Sequence, residues 1–306
     1  MLLWLIGQVW SNARNFVVEK TTWAATQVNS IFFMTMKKNI TIIGLGWLGL
    51  PLAKSLLEQG HQVRGSVSSE EKLTRLQNLP FPVMRLGIEL TGIQGDVRSL
   101  LEGAEILLLT IPPGRKEGVE DSYPALVDQL ISEAPSGLSV IYTSTTGVYA
   151  DGNKMVDENT EPNPSKPSGK AVFAAERRLA DHFGGNLTVL RLAGLIGADR
   201  HPGRFLAGKT GLKNGNAPVN LVHQADCIGV IQQVIENNAW GQIINVCAGM
   251  HPMRKEYYQK ACAALGLEPP QFDDVETSSF KIVDNTFGRE LLNYSYQFDD
   301  PGDVFQ

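Results

Sequence analysis

Three glycines in the spacing Gly44-x-Gly46-x-x-Gly49 constrain what this chain can fold into more than any other feature of the sequence. They follow the apolar run Ile40–Ile43, which predicts a strand, and they open a segment in which leucines recur at helical spacing up to Gly60. In such a strand–turn–helix the first glycine makes the tight turn, the second lets backbone approach a pyrophosphate, and the third lets helix and strand pack closely. The pyrophosphate then lies at the helix N-terminus, where free N–H groups favour an anion. The spacing therefore predicts a Rossmann-type domain that binds a nicotinamide dinucleotide.

The end of the second predicted strand, Gln62–Val67, bears on which dinucleotide is bound. An acidic residue there binds the ribose 2′-OH of NAD, whereas small polar or basic groups admit the 2′-phosphate of NADP. Ser68 and Ser69 stand at this corner, and the carboxylates of Glu70 and Glu71 come only after them, so the cofactor is NADP or NAD with a slight preference for NADP. The residues that we assign to the cofactor site are Gly44, Gly46, Trp47, Leu48, Gly49, Ser68, Ser69, Thr110 and Pro112.

Composition and charge exclude several classes of protein. The 306 residues carry a net charge of −5 and are 43% hydrophobic, which describes an ordinary globular chain without the basic surface that attracts nucleic acid or an anionic membrane. Cys227, Cys247 and Cys262 show no CxxC spacing and the five histidines are scattered, so we expect buried thiols, no metal site, no disulfide framework and a reducing cytoplasm. Met1–Gly7 is too short to span a bilayer, which takes about 20 apolar residues. Residues 1–35 are expected to be a mobile extension outside the fold.

From residue 39 onward, short apolar runs alternate with helical patterns, which is typical of βαβ units and a parallel sheet. The predicted strands are Ile40–Ile43, Gln62–Val67, Pro82–Leu86, Glu105–Ile111, Ser139–Ser144 and Leu187–Leu192. The predicted helices are Glu70–Asn78, Tyr123–Glu133 and Lys170–Phe183, with a loop over Ala150–Ser168. The fold class is therefore α/β: a doubly wound parallel Rossmann sheet built from residues 36–195 and 218–248, with a smaller substrate-side lobe built from residues 196–217 and 249–306.

Several hydroxyl side chains follow the predicted strand Ser139–Ser144, in the stretch Thr143-Ser144-Thr145-Thr146-Gly147-Val148-Tyr149. Ligands of an open α/β sheet bind outside the carboxyl ends of its strands, so these hydroxyls are candidates for contact with a substrate. A capped strand end, with its hydroxyls bonded to nearby backbone, is the alternative.

Together with the glycine turn, the stretches Tyr142–Tyr149, Leu190–Gly197 and Asn220–Asp226 resemble the extended short-chain dehydrogenase/reductase superfamily, which includes nucleotide-sugar epimerases and dehydratases. The resemblance covers nearly everything from Met36 to the C-terminus. Within the superfamily the chain is most similar to the atypical YeeZ-like subgroup of the epimerase/dehydratase family, through residues 44–49, 200–205 and 221–223. The resemblance implies an NAD(P)-dependent oxidoreductase or epimerase that acts on a small carbonyl or sugar compound.

The resemblance also implies catalytic residues. Members of the superfamily use a Ser or Thr, which maps onto Thr145 with Ser144 beside it, and a Tyr and a Lys four residues apart on a helix. The Tyr and Lys do not carry over: when the helix is aligned on Glu176, Ser168 and Val172 occupy their positions.

The proton donor is therefore missing from its usual place. A phenol that acts as general acid or base typically raises the reaction rate 10²–10⁴-fold. A serine hydroxyl is too weak an acid to replace it. Lys170 cannot replace the missing Lys, because it lies about 200° around the helix from residue 168. Tyr149 is the best local substitute as proton donor, and packing of its ring beneath the loop is the alternative; Tyr123 and His223 are weaker candidates.

Basic residues are concentrated in one part of an otherwise acidic chain: Arg191, Arg200, His201, Arg204, Lys209 and Lys213. Arginine binds phosphate or carboxylate in a bidentate manner, and the resemblance implies that this region contributes to a substrate pocket. We therefore assign Arg200, Arg204 and also His223 to contact with a phosphorylated or acidic substrate; a solvated basic loop is the alternative. Asp226 is expected to cap the helix that begins near Cys227.

Three hypotheses follow. The first is an atypical reductase or epimerase-like enzyme in which hydride moves to or from a carbon of a small-molecule substrate held near Thr145. The second is a non-catalytic NAD(P)-binding sensor or regulator, for which the missing Tyr and Lys are the direct argument. The third, a dehydrogenase related only through the glycine turn, is disfavoured by the resemblance downstream of residue 140. We expect no nucleic-acid or membrane partner. A homodimer is compatible with the sequence.

Overall fold

A computed structural model of the chain describes residues 37–89, 92–114, 116–197, 199–273 and 279–305. The extension predicted over residues 1–35 lies outside the described residues. None of the described helices is long and apolar enough to cross a membrane.

The described strands, in chain order, are β1 (Asn39–Ile43), β2 (Gln62–Val67), β3 (Val83–Arg85), β4 (Gly87–Glu89), β5 (Gly92–Gln94), β6 (Ile106–Leu109), β7 (Ser139–Thr145), β8 (Lys154–Val156), β9 (Leu187–Leu192), β10 (Gly194–Ile196), β11 (Leu221–His223), β12 (Ile243–Val246) and β13 (Lys281–Val283). Seven of them form the central sheet, in the order β12-β9-β7-β6-β1-β2-β3. Every neighbouring pair in this sheet is parallel. This confirms the predicted parallel α/β sheet.

The helices are α1 (Gly49–Glu58), α2 (Glu70–Leu76), α3 (Val97–Leu101), α4 (Val119–Ser132), α5 (Pro167–Phe183), α6 (Gly203–Leu206), α7 (Gln224–Glu236), α8 (Arg254–Ala264) and α9 (Thr286–Leu292). Short 3-10 helices cover Thr146–Val148, Gly184–Asn186 and Pro301–Phe305. Within the sheet's helical layers, α1 packs against α7 and α4 packs against α5. Because helices cover the sheet, its inner strands are largely buried on both faces, and β6 is apolar and buried at all four residues.

The order of the sheet creates a crevice beside β1. This strand pairs with β2 on one side and with β6 on the other, so the chain winds outward in both directions from it. In open α/β sheets, ligands bind outside the carboxyl ends of the strands at such a switch point. The glycine turn follows β1 directly, so the fold places it at this crevice.

A smaller apolar cluster lies apart from the core of the sheet. Ile196, Val219, Leu221 and Tyr257 form its buried part, and Phe205 and Phe305 pack against it. These residues come mostly from the segments that the sequence assigned to a substrate-side lobe. The exact division into sheet and lobe remains a proposal.

The predicted loop over Ala150–Ser168 is wrong in part. It contains the strand β8, which pairs in parallel with β13, so that Lys154 lies beside Lys281 and Val156 beside Val283. A strand of three residues carries too little alternation to be recognised in a sequence, and its partner lies far along the chain. The helix that follows begins at Pro167, three residues earlier than predicted, because proline is well suited to the first turn of a helix.

Candidate functional site

The glycine turn has the backbone geometry that its spacing predicts. Gly44 has a φ of +109°, a conformation that residues with a Cβ rarely adopt. A Cβ on Gly49 would lie 2.2 Å from the carbonyl oxygen of Gly44, so only glycine lets α1 start this close to β1. The Thr110 hydroxyl donates to the same Gly44 oxygen at 2.7 Å and fixes the turn against the end of β6.

Gly46 differs from the other two glycines because the space beside it is open. A Cβ there would meet only the Gly44 oxygen, at 4.0 Å. Within the described part of the chain, the backbone N–H groups of Trp47, Leu48 and Gly49 donate to no protein acceptor. Free N–H groups at the start of a helix beside an open approach form an anion site suited to a pyrophosphate.

A cavity of about 440 Å³ opens over this turn. Five residues from the predicted cofactor site line it: Gly44, Gly46, Ser68, Thr110 and Pro112. The apolar part of the lining includes Leu86, Ile88, Tyr123 and Leu126. The other predicted cofactor residues, Trp47, Leu48, Gly49 and Ser69, belong to the same turn or strand end but do not line this cavity.

A cation that the sequence analysis missed, Lys72 on α2, lies beside the end of β2. Lys72 lines the cavity, and its ammonium donates to the Ser68 hydroxyl at 3.5 Å. Ser69 caps α2 by accepting from the backbone N–H of Lys72 at 3.4 Å. Lys72 stands four residues after Ser68, and residues at this spacing are neighbours in helical backbone. The spacing could therefore have indicated that the two side chains meet.

The hydroxyls at the end of β7 are already bonded within the protein. Thr145 accepts from the backbone N–H of Gly147 at 3.0 Å. Ser144, which is buried, donates to the carboxylate of Glu176 on α5. A Cβ on Gly169 would lie 2.8 Å from the Gly147 oxygen, so the start of α5 packs directly on the turn after Thr145. Both hydroxyls thus make the bonds of a capped strand end, and their catalytic role remains a prediction.

Tyr149 lies inside the protein, with 2% of its surface exposed. Its hydroxyl donates to Asn245 at 2.9 Å and accepts from Arg191 at 2.8 Å. Burial raises the pKa of Tyr149, although Arg191 acts in the opposite direction. These contacts favour the packing role that the sequence left open. Tyr149 as proton donor remains a prediction.

Arg191 differs from the other basic residues with which the sequence grouped it. Its guanidinium donates to both carboxylate oxygens of Glu176, at 3.2 and 2.7 Å, and the pair is buried. Burial would lower the pKa of Arg191, but the bonds to Glu176 outweigh burial and the pKa is raised. Arg191 is therefore a structural cation of the sheet and is not available to a ligand.

Arg200 is exposed and held in place from several sides. Its Nε donates to the Leu195 oxygen at 3.0 Å, and its guanidinium lies over the rings of Trp47 and Phe205, at 5.6 and 5.7 Å from their centres. Arg204 is exposed on α6. The structure therefore joins Arg200, but not Arg204, to the glycine turn through Trp47.

His223 caps α7, since its Nδ1 accepts from the backbone N–H of Ala225 at 3.2 Å. Its ring stacks on Phe298, 3.7 Å away, and burial lowers its pKa. The prediction that Asp226 caps this helix is wrong. The Asp226 carboxylate accepts instead from the Tyr294 hydroxyl and from two backbone N–H groups, at residues 297 and 298.

All three cysteines are buried free thiols, as the sequence predicts. Burial raises the pKa of the Cys227, Cys247 and Cys262 thiols, which keeps them protonated and unreactive. Across the described ranges, no group of three or more His, Cys, Asp and Glu residues is placed to hold a metal ion.

Comparison with known proteins connects the chain to named relatives. A family model described as NADP oxidoreductase coenzyme F420-dependent matches residues 39–134. The chain is 38% identical over 269 residues to Protein YeeZ of Escherichia coli (strain K12), a match that covers 86% of this chain and 97% of that protein.

Two solved structures have similar folds. The UDP-glucuronic acid 4-epimerase of Bacillus cereus in complex with NAD superposes with a TM-score of 0.71, at 18% identity, over 87% of this chain and 98% of that one. A functionally unknown conserved protein from Silicibacter pomeroyi DSS superposes with a TM-score of 0.72, at 22% identity, over 88% of this chain and 97% of that one. The Rossmann fold of this chain is therefore the fold that these proteins share.

Proposed function

The chain belongs to the YeeZ family, and from this membership we propose that it is an NAD(P)-binding enzyme of the epimerase/dehydratase type, acting on a small carbonyl or sugar compound. The observation that carries the proposal is the turn after β1. It combines an open approach at Gly46 with free N–H groups at Trp47, Leu48 and Gly49, above a cavity of about 440 Å³.

The residues present fit a dinucleotide. A pyrophosphate would accept from the N–H groups at the start of α1, where the helix dipole also favours an anion. The apolar wall formed by Leu86, Ile88 and Leu126 suits a flat, weakly polar ring such as adenine. The threonine at the end of β6, Thr110, holds the turn in the binding conformation through Gly44.

We propose NADP as the preferred dinucleotide. Ser68 and Lys72 lie together in the cavity at the end of β2, where the ribose 2′ position of a dinucleotide is bound. A hydroxyl and an ammonium both donate hydrogen bonds to a phosphate, and Lys72 adds charge complementarity.

A bound nicotinamide would supply hydride transfer at the carboxyl edge of the sheet. The chain's own part in that chemistry is to hold the reacting carbon near Thr145 and to bind an acidic or phosphorylated part of the substrate at Arg200, with Arg204 and His223 as further contacts. Arg200 is suited to this role because two aromatic rings and the Leu195 oxygen fix its guanidinium in an exposed position.

The NAD(P)-binding sensor is a second candidate, and one observation favours it. No tyrosine occurs in α5, and Ser168 and Val172 stand where the superfamily keeps its Tyr and Lys. Tyr149, the local substitute, is bonded at both its donor and its acceptor and has a raised pKa. A protein with this site could bind a dinucleotide and still lack the proton donor that turnover requires.

Binding of the two dinucleotides, measured by calorimetry, tests the first part of the proposal. We expect NADPH to bind more tightly than NADH and Gly46→Arg to abolish both, because the arginine would occupy the pyrophosphate site. Lys72→Ala should weaken NADPH about 10-fold, the value of one charge-assisted hydrogen bond, and leave NADH unchanged. Lys54→Ala, which removes an exposed lysine from α1, is the matched control. If wild-type protein binds neither nucleotide, both candidate functions are wrong.

Turnover on a panel of aldehydes and nucleotide sugars separates the enzyme from the sensor. An activity that falls in Thr145→Ala supports the enzyme and the assigned site. If Thr145→Ala and Tyr149→Phe leave a measured activity unchanged, the catalytic assignment is wrong. Tight binding without turnover of any compound in the panel supports the sensor.

We also propose that the protein is located in the reducing cytoplasm and that it forms a homodimer. The cytoplasm is supported by Cys227, Cys247 and Cys262, which are all free. Light scattering of the purified protein tests the homodimer.

A further inference from the structure

Trp47 lies in the glycine turn, yet its side chain contacts the segment that carries Arg200. Its indole Nε1 donates to the carboxylate of Asp199 at 2.6 Å. The guanidinium of Arg200 lies over the same indole, 5.6 Å from its centre. Trp47 and Asp199 are separated by 152 residues in the sequence.

The Trp47 indole also packs against the backbone of Gly197 and leaves no room for a side chain there. A Cβ on Gly197 would lie 2.9 Å from Cζ2 of Trp47, so the ring occupies the space next to the Gly197 backbone. The Trp47 carbonyl oxygen accepts from Gln224 at the start of α7, at 2.6 Å. Trp47 therefore connects the turn with two other elements of the carboxyl edge.

The position of Arg200 depends on the Trp47 contact. The Arg200 backbone N–H donates to the Gly197 oxygen at 3.0 Å, and its Nε donates to Leu195. The first bond fixes the base of the side chain, and the second fixes the Nε edge of the guanidinium. The rings of Trp47 and Phe205 hold the face of the guanidinium, because a cation is attracted to an aromatic face.

We propose that Trp47 couples cofactor binding to the Arg200 segment, residues 199–206, and is a positioning residue for the substrate. The inference rests on the proposed function, since the Trp47 backbone N–H is one of the groups that would bind the pyrophosphate. A ligand on this N–H restrains the Trp47 backbone, the backbone restrains the indole, and the indole restrains Asp199 and Arg200. Coupling of this kind is reciprocal, so an anion held by Arg200 strengthens cofactor binding by the same factor.

Hydrogen exchange of the full chain, with and without saturating NADPH, tests the coupling. We expect NADPH to slow exchange of the amides of residues 199–206 by about 10-fold, within the usual range of coupling between two sites. Trp47→Phe keeps an aromatic face for Arg200 but has no N–H for Asp199, and should lose most of this protection. Asp199→Ala removes the acceptor from the other side, outside the cofactor turn, and should have the same effect.

Trp240→Phe is the matched control, because Trp240 packs against the core just before β12 begins, whereas the glycine turn follows the opposite, carboxyl end of the parallel strand β1. It should leave the protection at residues 199–206 at the wild-type value. The coupling is overturned if NADPH binds to wild-type protein without slowing these amides, or if Asp199→Ala and Trp47→Phe keep full protection. Failure of wild-type protein to bind NADPH at all overturns the proposed function instead, so the two failures are distinguishable.

Discussion

At the scale of single residues, Arg191 and Glu176 show how burial changes the meaning of a charge. Their side chains are 3% and 5% exposed and form a two-bond ion pair, to which Ser144 and Tyr149 are also bonded. Taking two charges out of water costs free energy that only close pairing and further hydrogen bonds offset. The pair therefore fixes the position of the hydroxyl-bearing end of β7 against α5.

Arg191→Met should lower the free energy of unfolding by about 3–5 kcal/mol, because it leaves the Glu176 carboxylate buried without its partner. The double variant Arg191→Met with Glu176→Leu should recover part of this loss, since no buried charge remains. Urea unfolding measures both.

Arg178→Met is the control for this prediction. Arg178 pairs with Asp128 on α4, but both side chains are about half exposed, and an exposed pair contributes under about 1 kcal/mol. An Arg191→Met variant no less stable than Arg178→Met would contradict the structural role of Arg191.

At the scale of elements, the unit β1–turn–α1 contains one glycine that the packing requires and another that is proposed to serve binding. Gly49 lies where α1 meets the turn, and a Cβ there would overlap the Gly44 oxygen. Gly46 has open space beside it and belongs to the proposed pyrophosphate site. The same motif thus serves two physical purposes.

Gly49→Ala should lower the free energy of unfolding by about 3 kcal/mol, because the backbone must move to accept the methyl group. Gly46→Ala should change it by less than about 1 kcal/mol. Thermal unfolding without nucleotide makes the comparison. Equal loss of stability in the two variants would show that the distinction between these glycines is wrong.

The start of α7 was not predicted correctly from the sequence. Asp226 is a residue type that commonly caps helices, and it stands near the N-terminus of α7. Its donors are the Tyr294 hydroxyl and the backbone N–H groups of residues 297 and 298, which lie 68 to 72 residues later in the chain. His223 then takes the capping position. The contacts that the folded chain makes therefore decided that His223, and not Asp226, caps α7.

At the scale of the whole molecule, burial of histidines links stability to pH. Burial lowers the pKa of His61, His201, His223 and His251 from the usual 6.5. Below pH 6.5 the unfolded chain therefore takes up protons before the folded protein does. Their contribution to stability is complete above pH 6.5 and is lost as the pH falls through the folded values.

The melting temperature should accordingly fall as the pH is lowered from 7.5 to about 5.5. His61 is a good test residue because it is 3% exposed, its Nδ1 accepts from Lys38, and its Nε2 has no partner among the described residues. His61→Asn keeps an acceptor but cannot titrate, so its melting temperature should depend less steeply on pH. The exposed His182, changed to Asn, should leave the slope at the wild-type value.

Much of the fold could be predicted from the sequence because it depends on neighbours along the chain. The glycine turn, the strand before it and the strand Leu187–Leu192 are determined by local periodicity and backbone conformation, and the structure has them at the predicted places. The serine after β2, Ser68, was likewise predicted from the sequence alone, and it lines the cavity over the turn.

The tertiary structure decided what each charged or aromatic side chain is free to do. Arg191 and Arg200 are nine residues apart and look alike in the sequence, but one is buried against Glu176 and the other is exposed on Trp47. Lys72 enters the cavity and Trp47 meets Asp199 only once the chain has folded. Pairing over such distances depends on how the elements pack, and the local sequence carries no record of it. The sequence thus determined that a dinucleotide turn is present, while folding decided which side chains surround it.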